Sequence, residues 1–262
     1  MLRIYGRLLR ASIRSRMQYK WNFIISNVMI GLLLVVDFLG ITVLLWKFTD
    51  IQGWTLYELG LIFGFASISE ALFRMFACEI HEFEKYILQG EFDQLLIRPI
   101  SPLVLLLSRN IDIGRLGQLG QGMLVCGYSF FQLVKHGQDI TGILMWMPII
   151  IMGGALICFS LSLIVATFSF WMGRISDLQV FLFYAPMNAS KYPISLYTGW
   201  LKTLFFTLMP IAFVNYTALS YLLDKGGSLI QVLVSPFVAL AFLGAAISFW
   251  NFGIRHYHST GN

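Results

Sequence analysis

The sequence predicts an all-α, polytopic membrane protein. Six transmembrane helices follow a basic amphipathic helix at the interface, and a short amphipathic cytoplasmic helix separates the second span from the third. Three observations predict this. First, 58% of the 262 residues are hydrophobic and only 12% are charged, against about 25% charge in a soluble domain. Second, apolar runs of about 20 residues recur, the length needed to cross a hydrocarbon core of about 30 Å. Third, only Lys47, Lys135 and Lys225 of the eighteen Lys and Arg residues fall in the loops of one side. The other fifteen lie on the side of the termini or in span halves next to it, which makes that side cytoplasmic. Residues 1–262 read as one transmembrane domain, and two soluble domains of ordinary size do not fit.

Arg3, Arg7, Arg10 and Arg14 follow i, i+4, i+7, i+11 and form one helical stripe, opposite Leu2, Tyr5, Leu9 and Ile13. Residues 1–20 are therefore expected to lie in the interface, against anionic membrane lipids. Twenty basic-rich residues before a run long enough to span do not resemble a cleavable signal. Trp21 suits interface depth. Span one is expected over Phe23–Trp46, with Asp37 near its middle, and span two over Thr55–Cys78. In span two, Gly60 and Gly64 would let another helix approach closely. Glu70 and Arg74 stand at i, i+4 and can pair.

Residues 79–102 break the apolar pattern. Glu79, Glu82, Glu84 and Lys85 lead to Gly90, which interrupts a helix. Glu91 and Asp93 suit the positive end of a new helix dipole. Phe92, Leu95 and Leu96 share a face. Pro99 ends the helix and restricts Arg98. Span three is expected over Ile111–Val134, opening with an Asp112–Arg115 pair and a Gly- and Gln-rich half that includes Gln118 and Gln121. Span four covers Ile143–Met172 and is long enough to be tilted or broken. Leu178–Pro186 is too short to cross and is expected to lie in the interface or re-enter. Span five is expected over Ser195–Tyr216, with Lys202 and Pro210 inside it. Span six covers Leu229–Phe252, before Arg255, His256 and His258.

Several chemistries are excluded. A nucleotide hydrolase needs a phosphate-cradling loop carrying Gly-Lys-Ser or Gly-Lys-Thr, and no Gly-Lys pair occurs. No two His flank a Glu at the spacing of a zinc peptidase. Basic residues do not gather on a soluble module, which argues against nucleic acid. Cys78, Cys126 and Cys158 lie in or beside apolar segments, form no CxxC, and pack as small apolar residues. Asp37 is the one acid deep in a span. Its insertion costs about 2.5–3.5 kcal/mol, so it faces protein or water. A structural interhelical contact is favoured over a proton site because no relay accompanies it. A proton-coupled secondary transporter using Asp37 is the alternative function; Asp37, Glu70 and Arg74 are the candidate intramembrane polar site.

Two stretches carry a family resemblance. Gly90-Glu91-Phe92-Asp93 is followed by Leu95-Leu96-Ile97-Arg98-Pro99, and Tyr192-Pro193-Ile194 by an apolar run to Met209-Pro210-Ile211-Ala212-Phe213. With the basic N-terminal helix and six spans, the chain resembles the ABC-2 type of ABC transporter permease, in a bacterial branch. The resemblance implies a non-catalytic permease in the cell (inner) membrane with both termini inside. It implies export, driven by a separate cytoplasmic ATPase subunit that binds ATP and Mg. It also implies a second permease subunit, the same chain or a paralogue. Gly90, Glu91, Phe92, Asp93, Leu95, Leu96, Arg98 and Pro99 would then form the coupling region that docks the ATPase. A larger re-entrant region between spans five and six is expected of the family, and the loop Thr217–Ser228 is short for it.

Overall fold

The computed structural model describes residues 20–47, 50 and 52–257. The expected interfacial helix over 1–20 lies outside them apart from Lys20, as does the side chain of Asp37. The described residues are all-α. In chain order the α-helices are α1 (Lys20–Lys47), α2 (Leu56–Phe76), α3 (Cys78–His81), α4 (Glu84–Leu88), α5 (Phe92–Leu96), α6 (Pro102–Arg109), α7 (Leu116–Lys135), α8 (Thr141–Met172), α9 (Ser176–Gln179), α10 (Ala185–Ala189), α11 (Gly199–Phe206), α12 (Tyr216–Leu222) and α13 (Leu229–Arg255). A π-helical segment, Val180–Tyr184, joins α9 to α10. Three of the helices, α2, α8 and α13, are long and apolar enough to cross a membrane.

The bundle is built around α2. Thr55 and Glu58 close a capping box at its start, which satisfies two of the N–H groups a helix leaves open. Most of α2 is buried. It packs on α7 and α8, while α13 lies on α8 and α1 on α7. The approach of α2 to α7 depends on small residues, as the Gly60/Gly64 pair predicts. A Cβ on Gly64 would meet Cys126 Sγ, and it would lie 3.1 Å from Gly122 O. The Gly- and Gln-rich half of α7 faces this contact and also α1, where Gly117 N donates to Asn27 Oδ1 at 2.8 Å.

Two apolar clusters fill the bundle. One joins α3–α6 to the late turns of α8 and α13 and reaches Met187, Phe205 and Ile211. The other joins Trp54, the early turns of α2 and α8, and α12. These clusters mark two ends: a connector end, where α3–α6 link α2 to α7, and a far end.

The fourth span forms one unbroken 32-residue helix despite Pro148, about 48 Å long at 1.5 Å per residue. It ends at Gly173, whose φ of +66° is a left-handed conformation that Gly adopts without strain. The expected fifth span over Ser195–Tyr216 needs correction. The helical stretch begins earlier, at Ser176, and stops at Ala189. Pro193 then removes a backbone donor and restricts Tyr192. The chain continues through α11, a 3₁₀ turn after Pro210, and α12. Contacts show that this discontinuous element connects the two ends. Ile175 N donates to Glu84 Oε2 at 3.1 Å at the connector end, and Lys225 Nζ donates to Gly53 O at 2.6 Å at the far end. The backbone breaks of this element lie within residues 190–215, upstream of Thr217–Ser228.

Candidate functional site

At the connector end the chain turns sharply out of α2 and folds α3–α6 beneath the bundle. Glu79 is buried there. Tyr86 Oη donates to Glu79 Oε2 at 2.6 Å, and Lys85 Nζ lies 2.7 Å from the same oxygen. Burial alone would raise the Glu79 pKa, but these hydrogen bonds and the Lys85 charge prevail and hold it below the usual carboxylate value. Arg109 on α6 pairs with Glu91 at 3.3 Å and lies over the Tyr86 ring at 5.0 Å. Acids and bases of α3–α6 therefore tie the connector to itself.

Gly90 has φ +68° and makes the turn into α5. The expectation that Phe92, Leu95 and Leu96 form an outward face is corrected for two of the three. Phe92 is fully buried and Leu95 nearly so. The Phe92 ring lies 5.2 Å from Phe83, 5.2 Å from Phe170 and 5.1 Å from Tyr257. With α8 and α13 overhead, the apolar face of a short amphipathic helix buries more surface inward than outward. Asp93 sits beside Tyr257, and Glu91 is engaged by Arg109. The outward surface is the tip that follows. Ile97 is 85% exposed, Leu96 and Ile100 are exposed, and Arg98 and Pro99 are exposed between them.

A second polar site lies inside the bundle. Glu70 and Arg74 pair at 3.6 Å, as their spacing predicts. Lys191, just past α10, joins them at 3.8 Å on the other Glu70 oxygen. Arg74 donates to Tyr184 Oη at 3.4 Å. Tyr184 in turn lies 2.9 Å from His81 Nε2, and His81 Nδ1 lies 3.4 Å from Ser162 Oγ. Burial first, then the charges of Arg74 and Arg115, push the His81 pKa down to about 3. The imidazole is neutral and hydrogen-bonds as such. This network runs from α3 to the break after Ser190. Lys191 stands just before Tyr192-Pro193 in the sequence, which by itself names no partner for it. The available signal was a Lys with no acid within four residues, between apolar runs and before Pro193.

At the far end, Lys225 pairs with buried Glu58 at 3.0 Å. The Asp112–Arg115 pair also forms, at 3.2 Å. Among the described residues no three His, Cys, Asp or Glu gather as a metal site would require.

Comparison with curated proteins and with solved structures finds no match. The family model described as ABC-2 family transporter protein matches residues 32–261. That range contains the connector, the buried ion cluster and the broken helix alike. The chain belongs to the ABC-2 transporter family, as a membrane component of such a transporter.

Proposed function

We propose that the chain is the permease subunit of an ATP-binding cassette exporter, working with a second permease subunit and with separate ATPase subunits that bind ATP and Mg. The six crossings are α1, α2, α7, α8, the discontinuous element 176–222, and α13. Both termini and the connector are cytoplasmic, on the side that holds most of the basic residues. The observation that carries the reading is the connector itself. Its base is a fixed aromatic core and its tip, Leu96–Ile100, is exposed and apolar. Such a surface suits a partner pocket, and the rigid base passes a push at the tip into α8 and α13 through Phe92 and Trp250. Nucleotide-driven closure of the ATPase then biases two states of the bundle through differential contacts at the tip.

Of the docking residues expected from the sequence, Leu96, Arg98 and Pro99 remain as anchors, and exposed Ile97, outside the expected set, joins them. Gly90, Glu91, Phe92, Asp93 and Leu95 hold the tip in place. The test is capture of the ATPase by detergent-solubilised permease. Ile97→Asp should weaken capture by about 1–4 kcal/mol, the range of an interface anchor, and Arg98→Glu should slow association at low salt. Lys135→Ala at the far end should change nothing. Capture at the original affinity by both tip variants would overturn docking at this connector. Asp37→Asn separates this reading from a proton-coupled one: ATP-dependent transport should survive it.

A further inference from the structure

Two cations share one carboxylate inside the bundle. Arg74 Nη1 lies 3.6 Å from Glu70 Oε1 and Lys191 Nζ 3.8 Å from Glu70 Oε2. Among the described residues no second acid stands within ion-pair distance of either cation. The other groups about them are neutral: Tyr184 and Phe63 offer ring faces at 5.6 and 5.8 Å, and Asn188 Oδ1 accepts from Lys191 at 3.3 Å. The trio therefore carries one net positive charge. Glu70 lies within the candidate span Leu56–Phe76, where an uncompensated charge is costly and ring faces offset only part of the cost.

The backbone beside the trio is irregular at the same depth. The helical stretch ends at Ala189, and Asn215 Nδ2 donates to both Ile62 O and Ser190 O, at 2.6 and 3.2 Å. This puts the break level with the stretch of α2 between Ile62 and Glu70. Irregular backbone at membrane depth is tolerated where it is buried in protein or lines a cavity, and discontinuous helices are where transporters place binding sites. On the α2 stripe that carries Glu70 and Arg74, Ser67 precedes them at i−3 and i−7. Its Oγ is buried without a hydrogen-bond partner, a donor left unused.

We infer that Arg74, Lys191 and Ser67 form a binding site for one anionic group, a phosphate or carboxylate on the transported molecule. Glu70 occupies the place between the cations until that group displaces it. Arg offers a fork for two anion oxygens and Lys a point charge. Displacement exchanges the Glu70–Lys191 contact for a bridge through the bound anion between Arg74 on α2 and Lys191. Only the assignment to transport rests on the proposed function; the binding is a property of this chain alone.

The test titrates the purified chain in dodecyl maltoside with dodecyl phosphate, following intrinsic fluorescence and thermal stability. Saturable binding is expected. Lys191→Met should weaken it at least ten-fold and Ser67→Ala a few-fold. Glu70→Gln should tighten it several-fold, because the internal competitor is gone. A purely structural ion cluster gives no saturable binding by the unchanged chain, and that result, or unchanged or weakened binding by Glu70→Gln, overturns the inference. So does equal binding by Lys191→Met. Lys135→Gln, at an exposed position, controls for non-specific attraction and should match the unchanged chain. If Lys191→Met fails to fold, Glu70→Gln and Ser67→Ala decide the matter alone. Inorganic phosphate in parallel separates the sources: saturation by it points to a soluble anion, and saturation by dodecyl phosphate alone points to an amphiphile. ATPase capture by the same variants should be normal, so lost anion binding with intact capture, or the reverse, tells which of the two readings failed.

Discussion

Glu79, Lys85 and Tyr86 hold the connector by an ion pair and a hydrogen bond on buried Glu79, with Lys85 partly exposed. The sign of their pH dependence follows from the shifts. Glu79 has a lowered pKa in the folded chain, so its contribution is full above the ordinary value of 4.5 and is lost as pH falls through the lowered one. Lys85 has a raised pKa, so its contribution is full below 10.5 and is lost as pH rises through the raised value. His81 stays neutral in the folded chain down to about 3, against an ordinary value of 6.5, so its contribution is full above 6.5 and is lost as pH falls towards 3. Stability of the connector should be flat between 6.5 and the alkaline limit. Proteolysis within residues 79–109 of the solubilised protein, measured against pH, should accelerate below 6.5 and at the alkaline end. Glu79→Gln should remove the part of the acid-side change that lies below 4.5 and leave the His81 part. Phe92 belongs to the same scale. Its removal takes a fully buried ring from between Phe83, Phe170 and Tyr257. Phe92→Ala should destabilise the solubilised protein by about 3–5 kcal/mol, seen as a lower thermal midpoint, while the composition of the exposed tip is unchanged.

Between elements, the contact that sets the bundle is α2 against α7. Gly64 leaves no room for a side chain: Cys126 and the Gly122 carbonyl stand against it. Gly64→Leu should separate the two helices at a cost of about 1–3 kcal/mol or more and lower the thermal midpoint of the solubilised protein. Gly120, on the same helix α7, has nothing near its Cβ direction. Gly120→Ala should be neutral or stabilise by about 0.5–1 kcal/mol, the ordinary gain over Gly within a helix. Equal losses from the two would show that α7 does not pack on α2 in this register. The Gly60/Gly64 spacing was legible in the sequence because small residues at i, i+4 have one common use. Which helix would fill the notch was not, since α7 and α8 both carry glycines.

For the molecule as a whole, the discontinuous element connects the two ends through contacts with Glu84 on one side and Gly53 on the other. The proposed topology makes Gln89 and Lys225 opposite in accessibility. Single cysteines there, labelled by an impermeant maleimide in intact cells, should react at Lys225 only; equal reaction at both would overturn six crossings. Hydropathy and the Lys and Arg distribution determined that the chain is a helical membrane protein, and the stretches at Gly90–Pro99 and Tyr192–Phe213 carried the resemblance to its family. Those features are local: run length, charge count and residues at fixed spacing. The i, i+4 pair of Glu70 with Arg74 was legible for the same reason. Tertiary structure decided the rest. It turned Phe92 and Leu95 inward because α8 and α13 offered more apolar surface than solvent did, and it put the backbone breaks within residues 190–215. It also brought Lys191 to Glu70 across 121 positions of sequence. No local pattern encodes that last contact, because a buried charge finds its partner wherever the fold places one.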